Sequence, residues 1–191
     1  MKFFLLFLIN IIFSNSISNW IDTNNHILNS QSYKVSFKQK IIFFLEESNH
    51  YDSNNASLIY FNNQIKYEST DKIIIMNQDS LKMLNKYTNQ IFIDDLDERY
   101  NFKLFSKVTD ILKESQFVNS EDDSYYYYKY DNFTTIKIYF LHNRINKFEI
   151  LHNDITVELS DIKLSILDVK YIPDYFIIGN DSTIVFDLRV K

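Results

Sequence analysis

Apolar and polar residues alternate most clearly at the start of the first predicted strand. In the stretch YKVSFK (33–38), every second residue is apolar and the residues between are polar. Successive side chains of an extended strand point to opposite faces, so this pattern predicts a strand with one apolar and one polar face. Polar residues are absent from Ile41 to Leu45, so we expect a helix or a neighbouring strand to cover both faces at that end.

Short apolar runs separated by turn residues predict strands along most of the chain. These runs are Tyr33–Glu46, Ala56–Phe61, Gln64–Ser69, Lys72–Asn77, Ser80–Lys86, Asn89–Asp94, Tyr125–Tyr130, Thr134–Leu141, Arg144–Leu151, Asp154–Ser160, Lys163–Ile172 and Ser182–Val190. Pairs such as Asn62-Asn63, His142-Asn143 and Asn153-Asp154 predict tight hairpin turns. A turn is also expected around Gln78-Asp79.

Two segments have helical rather than strand periodicity. Four apolar residues near the N-terminus share one helical face: Trp20, Ile21, Ile27 and Leu28. A second apolar stripe, at steps of three and four residues, consists of Phe105, Val108, Ile111 and Leu112. A sheet of this size tends to curl so that long edges are not exposed. We therefore predict a mainly β (α+β) fold, an unclosed antiparallel barrel or half-barrel of about eleven strands, with the second helix as a lid.

The N-terminal segment has the composition of a secretory signal peptide. One lysine precedes an apolar run from Phe3 to Phe13, and small polar residues follow it. The run is too short to span a bilayer comfortably, so we predict cleavage near Ser16 or Ser18. The predicted organisation is a signal peptide (1–18) and one exported domain (19–191), because no linker or internal repeat interrupts the remainder.

Composition and side-chain spacing favour neither nucleic-acid binding nor catalysis. The net charge of −5 offers no basic field for nucleic acid, and the absence of cysteine leaves the chain without disulfides. The four histidines have no metal-ligand spacing, and no phosphate-binding loop or nucleophile motif occurs. We expect a protein that is not an enzyme and that has no metal or cofactor.

The strand alternation collects many bulky apolar residues on one sheet face. Periodicity alone leaves two interpretations open: a filled core, or the wall of a ligand cavity. The residues taken as candidates are Phe37, Ile41, Phe43, Ile65, Tyr67, Ile75, Leu81, Met83, Ile138, Phe140, Phe148, Ile150 and Val157.

The mature region resembles the LolA family of periplasmic carriers for outer-membrane lipoproteins. Ser36, Phe37 and Gln39 match the core of the family's opening strand. Four residues match the spacing of its central hairpin without gaps: Ile74, Ile75, Leu81 and Gln90. The closing Asp187, Leu188 and Arg189 match the Asp-Leu-Arg ending of some branches.

Three positions depart from the family pattern. The family's Asp-Gly turn falls on Asn77-Gln78, its Trp falls on Lys82, and its early Arg corresponds at best to Lys66. The resemblance implies that the candidate residues line an acyl-chain cavity, that Phe105, Val108, Ile111 and Leu112 form its lid, and that Lys66 is a gating or basic position. It also implies a periplasmic monomer that receives lipoproteins from an inner-membrane transporter and delivers them to an outer-membrane acceptor.

Two other functions remain open at this point. A module of the same fold could sense a lipid or a signal in the periplasm, and the departures at Lys66, Asn77 and Lys82 keep that alternative open. A secreted structural β-barrel with a solid core would bind no ligand.

Overall fold

The computed structural model describes residues 17–44, 49–62, 64–77, 79–95, 108–119, 124–142, 144–167 and 176–189. Residues 1–16 of the predicted signal peptide lie outside this set, as does Phe105 of the predicted lid stripe. Residues 17–28 form helix α1, whose Trp20 is buried, as the N-terminal apolar pattern predicts. Helix α2 is Val108–Glu114. Within the described residues, neither helix is long and apolar enough to cross a bilayer.

Twelve strands account for most of the described residues. They are β1 (Ser32–Phe44), β2 (Asn49–Phe61), β3 (Gln64–Glu68), β4 (Lys72–Met76), β5 (Ser80–Asn85), β6 (Gln90–Asp95), β7 (Gln116–Asn119), β8 (Ser124–Lys129), β9 (Thr134–Leu141), β10 (Arg144–His152), β11 (Ile155–Ile166) and β12 (Ile184–Asp187).

All twelve strands belong to one unclosed sheet in the order β12-β6-β5-β4-β3-β2-β1-β11-β10-β9-β8-β7. Consecutive strands pair antiparallel from β2 to β6 and from β7 to β11, whereas β12 pairs with β6 in parallel. The prediction of a mainly β, unclosed sheet with helices is confirmed.

The described residues divide into two compact units. The first holds 17–26, 38–44, 49–53, 108–119, 124–142 and 144–162. The second holds 27–37, 54–62, 64–77, 79–95, 163–167 and 176–189.

Asparagine and histidine supply the left-handed backbone that tight turns require. Asn62, His142 and Asn153 have φ values of 46°, 49° and 49°, and each lies at a predicted hairpin turn. Asparagine is among the non-glycine residues that tolerate this conformation best. The hairpin turns predicted at these residues are therefore confirmed.

The core of the first unit lies on one face of β8–β11. Phe148 pairs across the sheet with Ile138 and with Leu159, and Ile138 in turn pairs with Tyr126. All four side chains are buried. Helix α2 contacts β8, and its Ile111 and Leu112 are almost fully buried, so the helix adds apolar contacts to this unit.

The structure corrects three details of the predicted strands. The separate strands predicted before and after Asp161 are one strand, β11, which continues through Asp161 with φ of 52°. Strand β7 lies where the sequence predicts the end of a helix and a loop. At the end of β1, Phe43 is 40% exposed, so the expectation that both faces are covered there is wrong for this residue.

Candidate functional site

The strand register shows on which of the two faces of the second unit's sheet each residue lies. Directly opposed residues of paired strands lie on the same face, so Tyr67, Ile74 and Met83 share one side. We call this side the open face. Residues one position along each strand, including Ile75 and Lys82, lie on the other side. We call this side the cavity face, because a cavity lies on it.

A row of apolar side chains crosses six strands on the open face. It runs Leu58, Tyr67, Ile74, Met83, Phe92 and Phe186, one residue from each of β2, β3, β4, β5, β6 and β12. We call it the apolar row. Its β2 end is buried, its centre is half-buried, and Phe186 at the edge strand is 39% exposed. The rings of Phe92 and Phe186 stack with centroids 5.3 Å apart.

A second set of apolar residues extends the open face toward β1. Ile65 pairs with Tyr60 and with Met76, and Met76 pairs with Leu81. The ring of Tyr60 stacks on that of Tyr33, with centroids 5.2 Å apart. Burial, followed by the neighbouring Tyr60, raises the pKa of Tyr33 to about 12, so this hydroxyl stays neutral at physiological pH.

The structure separates the predicted acyl-cavity residues into several groups. Ile65, Tyr67, Leu81 and Met83 lie together on the open face. Ile75 lies on the cavity face, so the sequence-based grouping of Ile75 with these four is wrong.

The remaining candidates lie on β1 and in the first unit. Five of them share the core face of β9–β11: Ile138, Phe140, Phe148, Ile150 and Val157. Ile138 and Phe148 have no exposed area, so they are packed core in this structure. On β1, Phe37 is buried and Ile41 is half-buried.

The predicted basic position, Lys66, lies on the cavity face between Ile59 and Ile75. Its side chain is buried, and its Nζ lies 3.0 Å from Oε2 of Glu68. Lys86 Nζ lies 3.0 Å from the other carboxylate oxygen. Burial of Glu68 opposes ionisation, but hydrogen bonds from Lys86 and Lys66 together with their charges lower the pKa of this carboxyl. Lys66 is thus a buried member of an ion pair.

A cavity of about 500 Å³ lies on the cavity face of β3–β6 and β12. Its walls are Gln64, Asn77, Ser80, Lys82, Ile75, Ile91, Ile93 and Val185, with Phe176, Ile177 and Ile178 completing them from the segment before β12. The volume falls within the range of about 300–1,000 Å³ that is typical of small-molecule sites.

The C-terminal segment is fastened to the β5–β6 turn through Asn89. The Thr183 hydroxyl donates to Asn89 Oδ1 at 3.0 Å, and the Ile184 amide donates to the Asn89 carbonyl at 3.2 Å. The rings of Phe176 and Phe61 lie 6.5 Å apart. These contacts hold residues 176–178 at the cavity.

Sequence reasoning missed the cavity because its walls are distant in the chain. Residues 176–178 line the cavity together with strands about ninety positions earlier in the chain. No local sequence pattern indicates such a long-range contact. One signal was available: Asn77 and Lys82, two of the three departures from the LolA pattern, both line the cavity. Within the described residues, no cluster of three metal-ligating side chains occurs.

Comparison with known proteins gives similar structures without close sequence relatives. No family model and no curated protein matches the chain. Solved structures include an uncharacterized conserved protein from Thermus thermophilus, at 9% identity and a TM-score of 0.48, over 91% of this chain and 98% of that one.

Two further similar structures have informative names. A LolA superfamily protein from Nitrosomonas europaea has 12% identity and a TM-score of 0.40, over 83% of this chain and 98% of that one. A Vibrio parahaemolyticus domain named for outer membrane lipoprotein sorting has 7% identity and a TM-score of 0.39, over 82% and 96%.

Proposed function

We propose that this protein binds lipid acyl chains on the open face of the second unit and serves as a periplasmic carrier of lipoproteins. The observation that carries this proposal is the apolar row, which is buried at Leu58, half-buried at its centre and 39% exposed at Phe186. When an acyl chain lies on a half-exposed apolar surface that spans several strands, the apolar groups of both are removed from water. Each methylene removed from water contributes about 0.8 kcal/mol.

The free energy of burying methylene groups also supports the carrier role. A triacylated lipoprotein cannot cross an aqueous compartment with its chains exposed, because every exposed methylene costs free energy. A partly open surface binds such chains without requiring a closed core to unfold, and it can release them to an acceptor. In this proposal the protein is a binding protein, loaded by an inner-membrane transporter and unloaded at the outer membrane.

Direct titration with a fluorescently labelled triacylated lipopeptide tests the proposal. Replacing Phe186 by Gln removes an exposed apolar contact at the open end of the row, so we expect lipopeptide affinity to fall about tenfold, or about 1.4 kcal/mol. The matched control is Tyr87→Gln, which removes another exposed aromatic ring of the second unit that lies in the β5–β6 turn.

Two results would contradict the proposal. One is the absence of any probe binding by the wild type, which would favour a structural protein with no ligand. The other is equal affinity in the Phe186→Gln and Tyr87→Gln variants. Mass spectrometry of material that co-purifies from a periplasm separates the roles: a lipoprotein supports the carrier, whereas a free lipid alone supports the sensing alternative.

A further inference from the structure

The cavity on the opposite face of the sheet changes from polar to apolar along the strands. Gln64, Asn77 and Ser80 lie in one row at the β4–β5 turn, one residue beyond the register pairs Ile65–Met76 and Met76–Leu81. The next row contains Ile75, Lys82 and Ile93. Beyond it, Ile91 and Val185 form the apolar end. A ligand that fits this order has a polar head and an apolar body.

Lys82 makes the polar end cationic. It lies between Ile75 and Ile93 in the register and is exposed toward solvent. In the part of the chain that the structure describes, its ammonium group has no ion-pair or hydrogen-bond partner. An unpaired cation beside an apolar wall is complementary to an anionic head group.

The acidic residues nearest in register are already engaged or lie outside the cavity wall. Glu68 pairs with Lys66 and Lys86, and Asp187 pairs with Arg189. Asp95, opposite Ser80, is exposed and is not part of the lining. The described lining contains one cation and no carboxylate, so an anion meets attraction there without direct repulsion.

The volume is sufficient for one acyl chain. At about 30 Å³ for a group the size of water, about 500 Å³ holds roughly 15 to 17 such groups. That is enough for a single acyl chain with its head group. The cavity also lies on the sheet face opposite the apolar row, so it is a separate site.

We propose that this cavity binds a free fatty acid, with its carboxylate at Lys82 and its chain against Ile91, Ile93 and Val185. Gln64 supplies a further polar group near the head, whereas Asn77 Oδ1 and the Ser80 hydroxyl are hydrogen-bonded to each other in the β4–β5 turn. This site goes beyond the proposed carrier function, because it lies on another face and takes a different class of ligand.

Calorimetric titration with dodecanoate at pH 8 tests the site, with dodecyltrimethylammonium as a probe of the same chain and opposite charge. We expect dodecanoate to bind the wild type and the cationic probe to bind at least tenfold more weakly. Lys82→Met keeps the length of the side chain and removes its charge, so dodecanoate affinity should fall about tenfold. Lys82→Arg should retain it, and the exposed Lys163→Met is the matched control.

A second variant tests the apolar end without changing the lysine. Val185 is exposed on the edge strand β12, so Val185→Trp should fill the cavity at little cost to folding and abolish dodecanoate binding. Methyl NMR locates the ligand: Ile91 and Ile93 should shift on titration, whereas Met83 on the open face should not.

Three outcomes would overturn the proposal. They are no dodecanoate binding by the wild type, equal affinity for the anionic and cationic probes, and unchanged affinity in Lys82→Met. Lipopeptide binding on the open face does not depend on Lys82, so failure of this site and failure of the carrier proposal give different results.

Discussion

Gly179 is the only glycine of the chain and lies against a wall residue of the cavity. Its φ is +82°, but Asn62 and Asn153 adopt left-handed backbone without being glycine. Space is the stronger reason for glycine here. A Cβ at residue 179 would lie 2.9 Å from Ile91 Cδ1 and 2.9 Å from Thr183 Oγ1, closer than packed atoms allow.

Gly179→Ala therefore combines backbone strain with a steric clash. Alanine in the left-handed region costs about 1–2 kcal/mol, and forcing an extra methyl into a packed contact adds about 1–3 kcal/mol. The control Asn62→Ala introduces alanine at a left-handed turn residue that is exposed, so it isolates the backbone cost. Urea unfolding should show a larger loss for Gly179→Ala. Equal losses would mean that Ile91 moves aside without cost.

Tyr126 is a buried tyrosine whose hydroxyl has no hydrogen-bond partner within the described structure. A buried polar group without a partner costs about 1–3 kcal/mol. Tyr126→Phe removes that group and keeps the ring contacts with Phe117 and Phe140. At pH 7 we expect the variant to be as stable as the wild type or about 1 kcal/mol more stable.

The same substitution should change the response to alkaline pH. Burial raises the pKa of Tyr126 to about 12, so between pH 10 and 12 the unfolded chain loses a proton that the folded chain keeps. Stability must then fall as pH rises, by on the order of 1–3 kcal/mol. Urea unfolding at pH 7 to 12 should show a smaller fall in Tyr126→Phe. The control is Tyr127→Phe on the opposite face. If Tyr126→Phe is as pH-sensitive as the wild type, the loss of stability at alkaline pH does not come from Tyr126.

At the scale of elements, sequence periodicity predicted most strands but not every face. The alternation at residues 33–37 matches the burial of Tyr33, Val35 and Phe37 in β1. In β4 the residues from Ile73 to Met76 are all apolar, so a period of two cannot separate Ile75 from Ile74. Only the pairing of Ile74 with Tyr67 assigns the face.

Long-range pairing explains the other differences from the predicted elements. The polar residues around Asp161 predict the end of a strand. In the structure β11 continues through them, and it lies in the sheet between β1 and β10. The Asp161 carboxylate pairs with Lys38 Nζ at 2.7 Å. Strand β7 has four residues and starts two positions after α2, too short a run for periodicity to distinguish from the helix before it. The cavity depends on residues 176–178, and their contact with these distant strands had no local sequence signal.

Helix α2 offers a test of packing at this scale. Ile111 is almost fully buried, so Ile111→Ala should cost about 2–5 kcal/mol, as expected for a truncation in a packed core. The control Lys113→Ala changes an exposed residue of the same helix and should change stability by less than about 0.5 kcal/mol. A loss below about 1 kcal/mol for Ile111→Ala would instead indicate a loosely held lid above a ligand space.

At the scale of the whole molecule, the register of β5 keeps the two proposed sites apart. Lys82 and Met83 are consecutive residues, yet one lines the cavity and the other lies in the apolar row. A slip of one residue would exchange them between faces. The β4–β5 turn opposes such a slip, because Asn77 Oδ1 accepts hydrogen bonds from the amides of Asp79 and Ser80 at 3.0 and 2.8 Å.

The adjacent pair gives a direct test that two independent sites exist. Glutamine has a side-chain volume similar to that of methionine, so Met83→Gln places a polar group in the apolar row without changing its shape. Lipopeptide affinity should fall about tenfold while dodecanoate affinity is unchanged. Lys82→Met should do the reverse. Because the two side chains project to opposite faces and share no partner, their effects should add within about 0.5 kcal/mol, and the double variant should lose both affinities by the single-variant amounts. Calorimetry with each ligand on all four proteins makes the comparison. If either single substitution weakens both ligands equally, one site binds both and the cavity is not a separate fatty-acid site.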